Sequence, residues 1–486
     1  MTTTSPLVEF KIPDIYHTDR SQPVRWILSH AKRYWYLLFG GLAGSILNAA
    51  LGGLTPVLIG QAFNLMQNDP GNIKKLGILA MYVAATQALR ALSQYGRNLS
   101  FESTAQLVER NVRDELYASL IGKSMTFHSL QPIGNIMAKA TNDVREVNYF
   151  FSPGLTMVLG SIVFLIIPIV YSIQYHISLI TVPLLFIFVY FWSIRQYLKK
   201  LSPVTESVRS NFGELNIHLA ESIDGIEIVK GAARETEEVA NFMSNARKYR
   251  NAVVKQGDVE AVFIPMLLMA FAVALGLLHA LVLFKLGLIN LGAVVSYFGL
   301  LLMLDFPTFS SLHAYSRISL GVAGARRILG LMNQEDNIDQ NLKGATGALT
   351  GEIEFRNVSF RYGFDSAAVL KNISFKVKSG QRVAIVGQTG SGKTTLCRLI
   401  NRTYDTSSGE VLIDGIDVRN WNLGTLRQNI SIIEQDIFLF SRSINKNITF
   451  GKPDASLEAV INAAKSAQAD EFINTFPDKY ETIIGE

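Results

Sequence analysis

Long stretches without a charged side chain constrain this chain more than any other feature of its sequence. No Asp, Glu, Lys or Arg occurs from residue 34 to 68, and none occurs from residue 147 to 194. A helix needs about 20 apolar residues to cross the hydrocarbon core of a bilayer, and both stretches exceed that length. Charged residues make up only 17% of the chain, well below the share in average soluble domains. A large part of the chain is therefore expected inside a membrane.

The hydropathy pattern predicts six membrane-spanning helices. They cover residues 34–68, about 76–100, two spans within 147–194 joined by a polar hairpin at 172–176, about 261–284 and 286–304. Glycines that permit close helix packing or mild bending are concentrated in the first span, at Gly40, Gly41, Gly44, Gly52 and Gly53.

Positive charges fix the expected orientation of these spans. With the N-terminus in the cytoplasm, the inner segments 1–33, 97–151 and 195–260 carry 5, 6 and 10 Lys or Arg, whereas the outer loops hold only Lys74, Lys75 and Lys285. This bias predicts a multi-pass protein of the plasma (inner) membrane with a cytoplasmic C-terminal part. The topology also explains the net charge of +5 without nucleic acid as a partner.

The two long inner loops have helical patterns throughout, which predicts helices that extend beyond the bilayer as stalks. Turns at the stalk tips are expected at Pro132–Gly134 and at Ser210–Gly213. The domain organisation follows: a cytoplasmic segment with an interfacial helix at 1–33, a six-span domain at 34–325, a linker at 326–351 and an α/β domain at 352–486.

A phosphate-binding pattern dominates the C-terminal part. Residues Gly387 to Thr394 read G-x-x-x-x-G-K-T, after an apolar run at Val383–Val386 that predicts a buried strand and before a helix at Thr394–Asn401. The candidate binding residues are Gly387, Gln388, Thr389, Gly390, Ser391, Gly392, Lys393, Thr394 and Thr395. In such loops the backbone N–H groups and the lysine hold a nucleoside triphosphate, and the Thr394 hydroxyl suits Mg²⁺. The single cysteine, Cys397, excludes intrachain disulfides and is expected as a small buried residue.

Two further residues of this part have a functional and a structural interpretation. Tyr362 ends a predicted strand, so its ring either stacks on a purine or packs in the core. Gln435 follows the apolar run Ile430–Ile433, where its amide either coordinates Mg²⁺ and orients water or is an ordinary loop side chain. Further strands are predicted at 353–362, 373–377 and 410–413, with an Asp-Gly turn at 414–415.

Ionisable residues inside the predicted spans also have two interpretations. Arg90 and Arg97 lie seven residues apart, on one face of the second span. They either snorkel to the inner interface or face a cavity that selects an anionic or amphipathic substrate. Asp305, beside Pro307 in the last span, is a second candidate for a cavity-facing residue.

Over about residues 20–486, the chain resembles an exporter-type ATP-binding-cassette transporter with fused membrane and nucleotide-binding domains. Four segments carry the resemblance beside the P-loop. Gly134–Asp143 resembles the first coupling loop, with Lys139 where arginine is usual. Glu221–Gly225 resembles the second, Val358–Tyr362 the adenine-stacking segment, and Ile433–Asp436 the glutamine loop, with Glu434 where proline is common.

The resemblance implies a fold and a function. The fold is an all-α six-helix transmembrane domain followed by an α/β P-loop domain that is incomplete relative to the family. ATP and Mg²⁺ are the implied cofactors, and Tyr362 becomes an adenine contact. Gln435 becomes the catalytic and metal-binding glutamine, and Gly134, Asp143, Glu221 and Gly225 become coupling residues. The implied partners are the bilayer, a second transporter half (identical or paralogous) and a small-molecule, lipid or peptide substrate.

The given sequence ends at Glu486, just where the family's signature motif would follow, so the Walker B and switch-histidine motifs also lie outside it, and its last histidine is His313. We therefore expect the sequence to be a fragment of an ATP-hydrolysing exporter half. The alternative is a nucleotide-binding membrane subunit that regulates without hydrolysis. As given, the chain is expected to bind nucleotide with negligible steady-state ATP turnover. Motifs encoded immediately downstream of codon 486 would favour the fragment, and unrelated sequence would favour the alternative.

Overall fold

The computed structural model describes residues 9, 18–334, 338–363 and 366–485, with only the backbone of Leu312. The chain divides into two compact units between Ile338 and Asp339, which we call the membrane unit and the C-terminal unit. Each is described by itself.

The membrane unit is built from helices. Their bounds are α1 Pro23–Lys32, α2 Trp35–Asn68, α3 Ile73–Ile121, α4 Met125–Leu130, α5 Ile133–Ala138, α6 Val144–Tyr149, α7 Thr156–Ile173, α8 Thr181–Asp224, α9 Ile226–Gly231, α10 Glu235–Ala261, α11 Ile264–Lys285, α12 Leu291–Leu302 and α13 Asp305–Met332. Among the described residues, six helical stretches are long and apolar enough to cross a membrane, which confirms the predicted number of spans. Helix α13 continues to Met332, so the predicted linker begins with helical residues.

Helix α2 makes close contacts with three neighbouring helices through its glycines. A Cβ atom at Gly41 would lie 2.7 Å from the Phe101 ring of α3, and one at Gly53 would lie 2.6 Å from Ile167 of α7. At Gly60, a Cβ atom would overlap the Ser296 hydroxyl and the Gly292 carbonyl oxygen, both on α12. These positions have no room for a side chain, as expected for closely packed helices in a membrane.

The prediction for one stalk tip was wrong. Residues 210–213 lie inside the continuous helix α8, and the chain instead breaks at Gly225, between α8 and α9. The Asn211 side-chain amide donates a hydrogen bond to the Ser207 carbonyl oxygen at 2.6 Å, so this polar side chain is satisfied within the helix. Isolated Ser, Asn and Gly residues cost a helix at most about 1 kcal/mol each, and packing against α10 offsets that cost. The other predicted tip is confirmed by the break at Gln131–Pro132 between α4 and α5.

The N-terminal helix α1 is tied to α3 by a buried carboxylate. Glu115 lies about 15 residues beyond the end of the apolar part of α3, outside the membrane-spanning segment. It accepts hydrogen bonds from Thr18 at 2.6 Å, Arg20 at 2.7 Å and Trp26 Nε1 at 3.0 Å, and its Oε2 lies 2.8 Å from His30 Nε2. Burial alone would raise the pKa of Glu115, but these hydrogen bonds and the charge of Arg20 outweigh burial and lower it to about 2.

The C-terminal unit contains a four-stranded antiparallel sheet in the order β2-β1-β3-β4 and a small two-stranded sheet of β5 and β6. The strands are β1 Ile353–Phe360, β2 Leu370–Val377, β3 Ser408–Ile413, β4 Ile416–Asp417, β5 Arg442–Ser443 and β6 Ile483–Ile484, and the helices are α14 Lys393–Ile400, α15 Leu423–Asn429, α16 Ile444–Ile448, α17 Leu457–Ser466 and α18 Asp470–Ile473. The predicted Asp414-Gly415 turn joins β3 to β4, with positive φ angles of 51° and 77°. Cys397 is exposed, contrary to expectation, because α14 buries its face at Thr395 and Leu399 instead.

The predicted buried strand at Val383–Val386 is not formed. In the described part of the chain these residues belong to no strand, and Val386 is 91% exposed. The run Ile430–Ile433 is likewise unpaired, with Ile433 93% exposed. An apolar segment becomes a buried strand only when neighbouring strands satisfy its backbone, and the described sheet offers none beside these two segments.

The contact between α2 and α12 generates a stability prediction. Gly60→Ala would force a methyl group against the Gly292 backbone, and we expect it to destabilise the membrane unit by about 2 kcal/mol. Gly96→Ala on α3 is the matched control, because a Cβ atom there meets nothing within 4 Å. Thermal unfolding of the purified chain in detergent compares the two variants. Equal melting temperatures would contradict the tight contact.

The Glu115 cluster generates a second prediction. Glu115→Gln removes the charge that pairs with Arg20, and we expect a loss of about 3 kcal/mol and a red shift of Trp26 fluorescence when Trp35, Trp192 and Trp421 are replaced by Phe. Because folding lowers the Glu115 pKa from 4.5 to about 2, the wild-type cluster should be intact above pH 4.5 and weaken as the pH falls towards 2. Asp114→Asn, at the exposed neighbouring position, should change neither signal. If Glu115→Gln left the Trp26 emission unshifted, Glu115 would not be holding α1 against α3.

Candidate nucleotide-binding site

The P-loop residues form a turn that leads into the N-terminus of α14. Gly390 and Gly392 have φ angles of +83° and +92°, a left-handed conformation that strains any other L-residue. A Cβ atom at Gly392 would also lie 2.8 Å from the side chain of Leu370. The loop therefore requires glycine at both positions for its backbone to adopt this shape.

Lys393 is held inside this loop. Its ammonium group donates hydrogen bonds to the carbonyl oxygens of Gly387 at 3.0 Å and Gln388 at 2.9 Å. The loop is further closed by the Ser391 N–H, which donates to the Gln388 carbonyl oxygen at 3.2 Å. A positive charge and the N-terminus of α14 thus share one turn, an arrangement that suits a phosphate group.

Tyr362 lies beside α14. Its hydroxyl is 2.9 Å from the Thr395 hydroxyl, and its half-buried ring packs edge-on against Phe360 and Tyr404, with centroid distances of 4.9 and 5.2 Å. The ring therefore packs in an aromatic cluster, as the structural interpretation expects, and a contact with a purine stays a prediction.

The segment around Gln435 is attached to α14 by an ion pair that the sequence did not reveal. Arg398 Nη2 donates to Glu434 Oε2 at 3.1 Å, and this hydrogen bond and the charge of Glu434 raise the pKa of Arg398. Gln435 follows directly and is exposed, as is Thr394. The two residues of the pair lie 36 positions apart, so no local spacing could have indicated the contact.

The four predicted coupling residues occupy different environments in the membrane unit. Gly134 in α5 and Gly225 at the α8–α9 break lie at the stalk ends, and Glu221 is exposed one turn before that break. Asp143 is buried instead, and both of its carboxylate oxygens accept hydrogen bonds from Arg327 of α13, at 2.6 and 3.0 Å. Asp143 therefore joins two stalk helices.

The two predicted cavity residues differ in exposure. Arg90 is half-buried against α2, with its guanidinium carbon 3.5 Å from the position of a Cβ atom on Gly52. Asp305 is exposed at the first residue of α13. Within the described residues neither side chain forms an ion pair, whereas Arg97 donates to the neighbouring Asn98 side chain.

Comparisons with known proteins match both units. Residues 38–306 match the ABC transporter transmembrane region, and residues 370–484 match the ABC transporter family. An ABC transporter ATP-binding protein of Bacillus subtilis strain 168, YknU, is 31% identical over 85% of this chain and 70% of the relative. A second from the same strain, YknV, is 30% identical over 97% and 80%. An ATP-dependent lipid A-core flippase of Syntrophus aciditrophicus is 29% identical over 94% and 75%.

The Arg398–Glu434 pair yields a prediction by double-mutant cycle. Because both side chains are partly exposed, we expect Arg398→Ala and Glu434→Ala to show a coupling energy of about 0.5 kcal/mol that shrinks in high salt. Denaturant unfolding followed by Trp421, the only tryptophan after residue 192, measures it. The charge-swapped variant Arg398→Glu with Glu434→Arg should recover most of the coupling. Strictly additive single mutants would show that the pair contributes nothing.

Proposed function

This chain belongs to the ABC transporter family, as a multi-pass membrane protein with a fused ATP-binding region, and we propose that it is one half of an ATP-driven exporter. The observation that carries the proposal is the P-loop itself: two left-handed glycines and a lysine ammonium gathered at the start of α14. The six membrane-spanning stretches provide the pathway-forming part that a soluble kinase or GTPase lacks.

Each residue of the site would contact a different part of the nucleotide. We expect the backbone N–H groups of residues 388–394 to hold the phosphates, Lys393 to neutralise their negative charge, and Tyr362 to contact the adenine. The Thr394 hydroxyl and the Gln435 amide would hold Mg²⁺, a hard cation that prefers oxygen ligands. The metal would supply neutralisation of the phosphate charge. The Arg398–Glu434 pair would keep Gln435 close to α14, so that Gln435 could respond to nucleotide at the P-loop.

The short helices at the stalk ends would transmit this response to the spans. Helices α5 and α9 expose the apolar side chains of Ile133, Met137, Ile226 and Ile228, which suits docking onto an ATP-binding region. Gly134, Glu221 and Gly225 would shape these two contact points. The bidentate Asp143–Arg327 pair would make α13 follow any displacement of α5. The positive-inside bias supports a cytoplasmic location for the stalks, the N-terminus and the C-terminal unit.

Two exposed apolar segments support the proposal that the site is completed by further protein. Val383–Val386 leads into the P-loop and Ile430–Ile433 leads to Gln435, yet both are unpaired in the described structure. We propose that additional strands bury them in the complete transporter, and that a second half, identical or paralogous, closes over the bound nucleotide. The lipid A-core flippase among the relatives supports a lipid or amphipathic substrate, with Arg90 and Asp305 as candidate cavity residues.

The proposed function predicts that Lys393→Ala weakens ATP binding. Removing the ammonium group should weaken ATP binding at least tenfold, because hydrogen bonds from charged groups contribute about 1.5–3 kcal/mol. Titration of the purified chain with a fluorescent ATP analogue measures the affinity. Lys371→Ala is the control, since Lys371 is exposed on β2 and should leave binding unchanged.

The same variant separates the two candidate functions. In vesicles containing the complete transporter, an exporter half should lose transport with Lys393→Ala. Continued transport at the wild-type rate, despite lost ATP binding, would identify a non-hydrolysing regulatory subunit instead.

A further inference from the structure

A cavity of about 890 Å³ lies against α8 near its entry into the stalk. Its walls include Tyr315 of α13 and, on α8, Phe191, Ile194, Arg195, Leu198, Lys199 and Glu206. Most of the α8 residues are three, four or seven positions from another member of the set, so they line a single helix face. The volume suits part of a lipid-sized ligand. None of these residues belongs to the nucleotide site or to the stalk ends.

The position of this cavity relative to the membrane follows from the charge pattern of α8. Arg195 is the first charged residue after a charge-free stretch that begins at residue 147, and Lys199 follows one helical turn later. The two cations therefore mark the boundary between hydrocarbon and headgroups, on the side that the positive-inside bias assigns to the cytoplasm. The Tyr315 ring is amphipathic and suits the same depth.

The cavity is polarised along α8. Phe191 and Ile194 provide an apolar surface on the bilayer side, and Arg195 and Lys199 follow with two exposed positive charges. In the part of the chain that the structure describes, neither cation forms an ion pair with a carboxylate. The cavity's own acid, Glu206, is seven residues from Lys199, which places it about 10 Å further along the helix axis.

We propose that this cavity binds one anionic phospholipid of the inner leaflet. Arg195 and Lys199 contact its phosphate, and Phe191, Ile194 and Tyr315 contact the glycerol region and the upper acyl chains. Two cations one turn apart match a phosphate group, and an apolar surface on the bilayer side matches the chains that follow it. Binding requires neither nucleotide nor transport, so this proposal stands or fails independently of the proposed function.

Native mass spectrometry of the detergent-solubilised full chain, without nucleotide, tests the proposal. The probes are dioleoyl-phosphatidylglycerol, dioleoyl-phosphatidylcholine and free glycerol 3-phosphate. The wild-type chain should bind the anionic lipid on the order of tenfold more tightly than the zwitterionic one. Arg195→Gln with Lys199→Gln should abolish that preference, because the net charge of the headgroup then no longer matters.

The matched control removes two charges from other positions of the same helix. Lys200→Gln with Arg209→Gln affects exposed residues of α8 that do not line the cavity, and it should keep the preference within twofold. If both double variants lost the preference for the anionic lipid equally, the preference would come from general surface charge, and the proposed site would be wrong. If millimolar glycerol 3-phosphate displaced the lipid, the ligand of the cavity would be a soluble anion and the lipid proposal would be wrong. Dissociation of a dimer by the cavity variant, with lipid preference intact, would assign the cavity to the subunit interface.

Discussion

The architecture of the membrane unit depends on how closely α2 approaches its neighbours. Lipid chains are as apolar as leucine, so helices in a bilayer gain little from hydrophobic burial and associate through close packing and hydrogen bonds. The glycines of α2 allow that packing towards α3, α7 and α12. At the end of the α2–α12 contact, the Asn64 side chain donates to Asn290 at 3.0 Å and accepts from the Gly292 N–H at 2.8 Å. One charge-free helix thereby fixes the arrangement of three others.

Beyond the apolar segments, polar contacts replace glycine packing. There α3 and α13 continue as stalk helices, where water competes for every polar group and burial again favours apolar residues. Glu115 fixes α1 and the residues just before it to α3 through four side chains, and Asp143, between α5 and α6, is fixed to α13 through Arg327. Ion pairs with partial burial and several hydrogen bonds resist bending better than single surface contacts. A stalk with such connections can move as a unit, which the proposed coupling from α5 and α9 requires.

The sequence was informative wherever a local pattern determines structure. Runs without charge predict spans because the bilayer penalises every exposed polar group, and Asp414-Gly415 predicts a turn because few residues tolerate positive φ. The failures share a different cause. The break at Gly225 rather than at Ser210–Gly213 depends on packing between α8 and α10, and the unpaired state of Val383–Val386 depends on which strands are available. The Glu115 cluster and the Arg398–Glu434 pair join residues far apart in sequence, and no periodicity encodes such contacts.

The P-loop illustrates how a binding site can be shaped before its ligand arrives. Without a phosphate, the Lys393 ammonium would be a poorly satisfied charge, but the carbonyl oxygens of Gly387 and Gln388 accept its hydrogen bonds. Exchange of these neutral acceptors for phosphate oxygens would strengthen the hydrogen bonds, because both partners would then be charged. The lysine would release the loop carbonyls as it moves to the phosphate. Arg398, five residues further along α14, would keep its hydrogen bond to Glu434. Nucleotide binding would thus change the start of α14 and leave its far end attached to the Gln435 segment, so that a displacement of the helix is passed on to that segment.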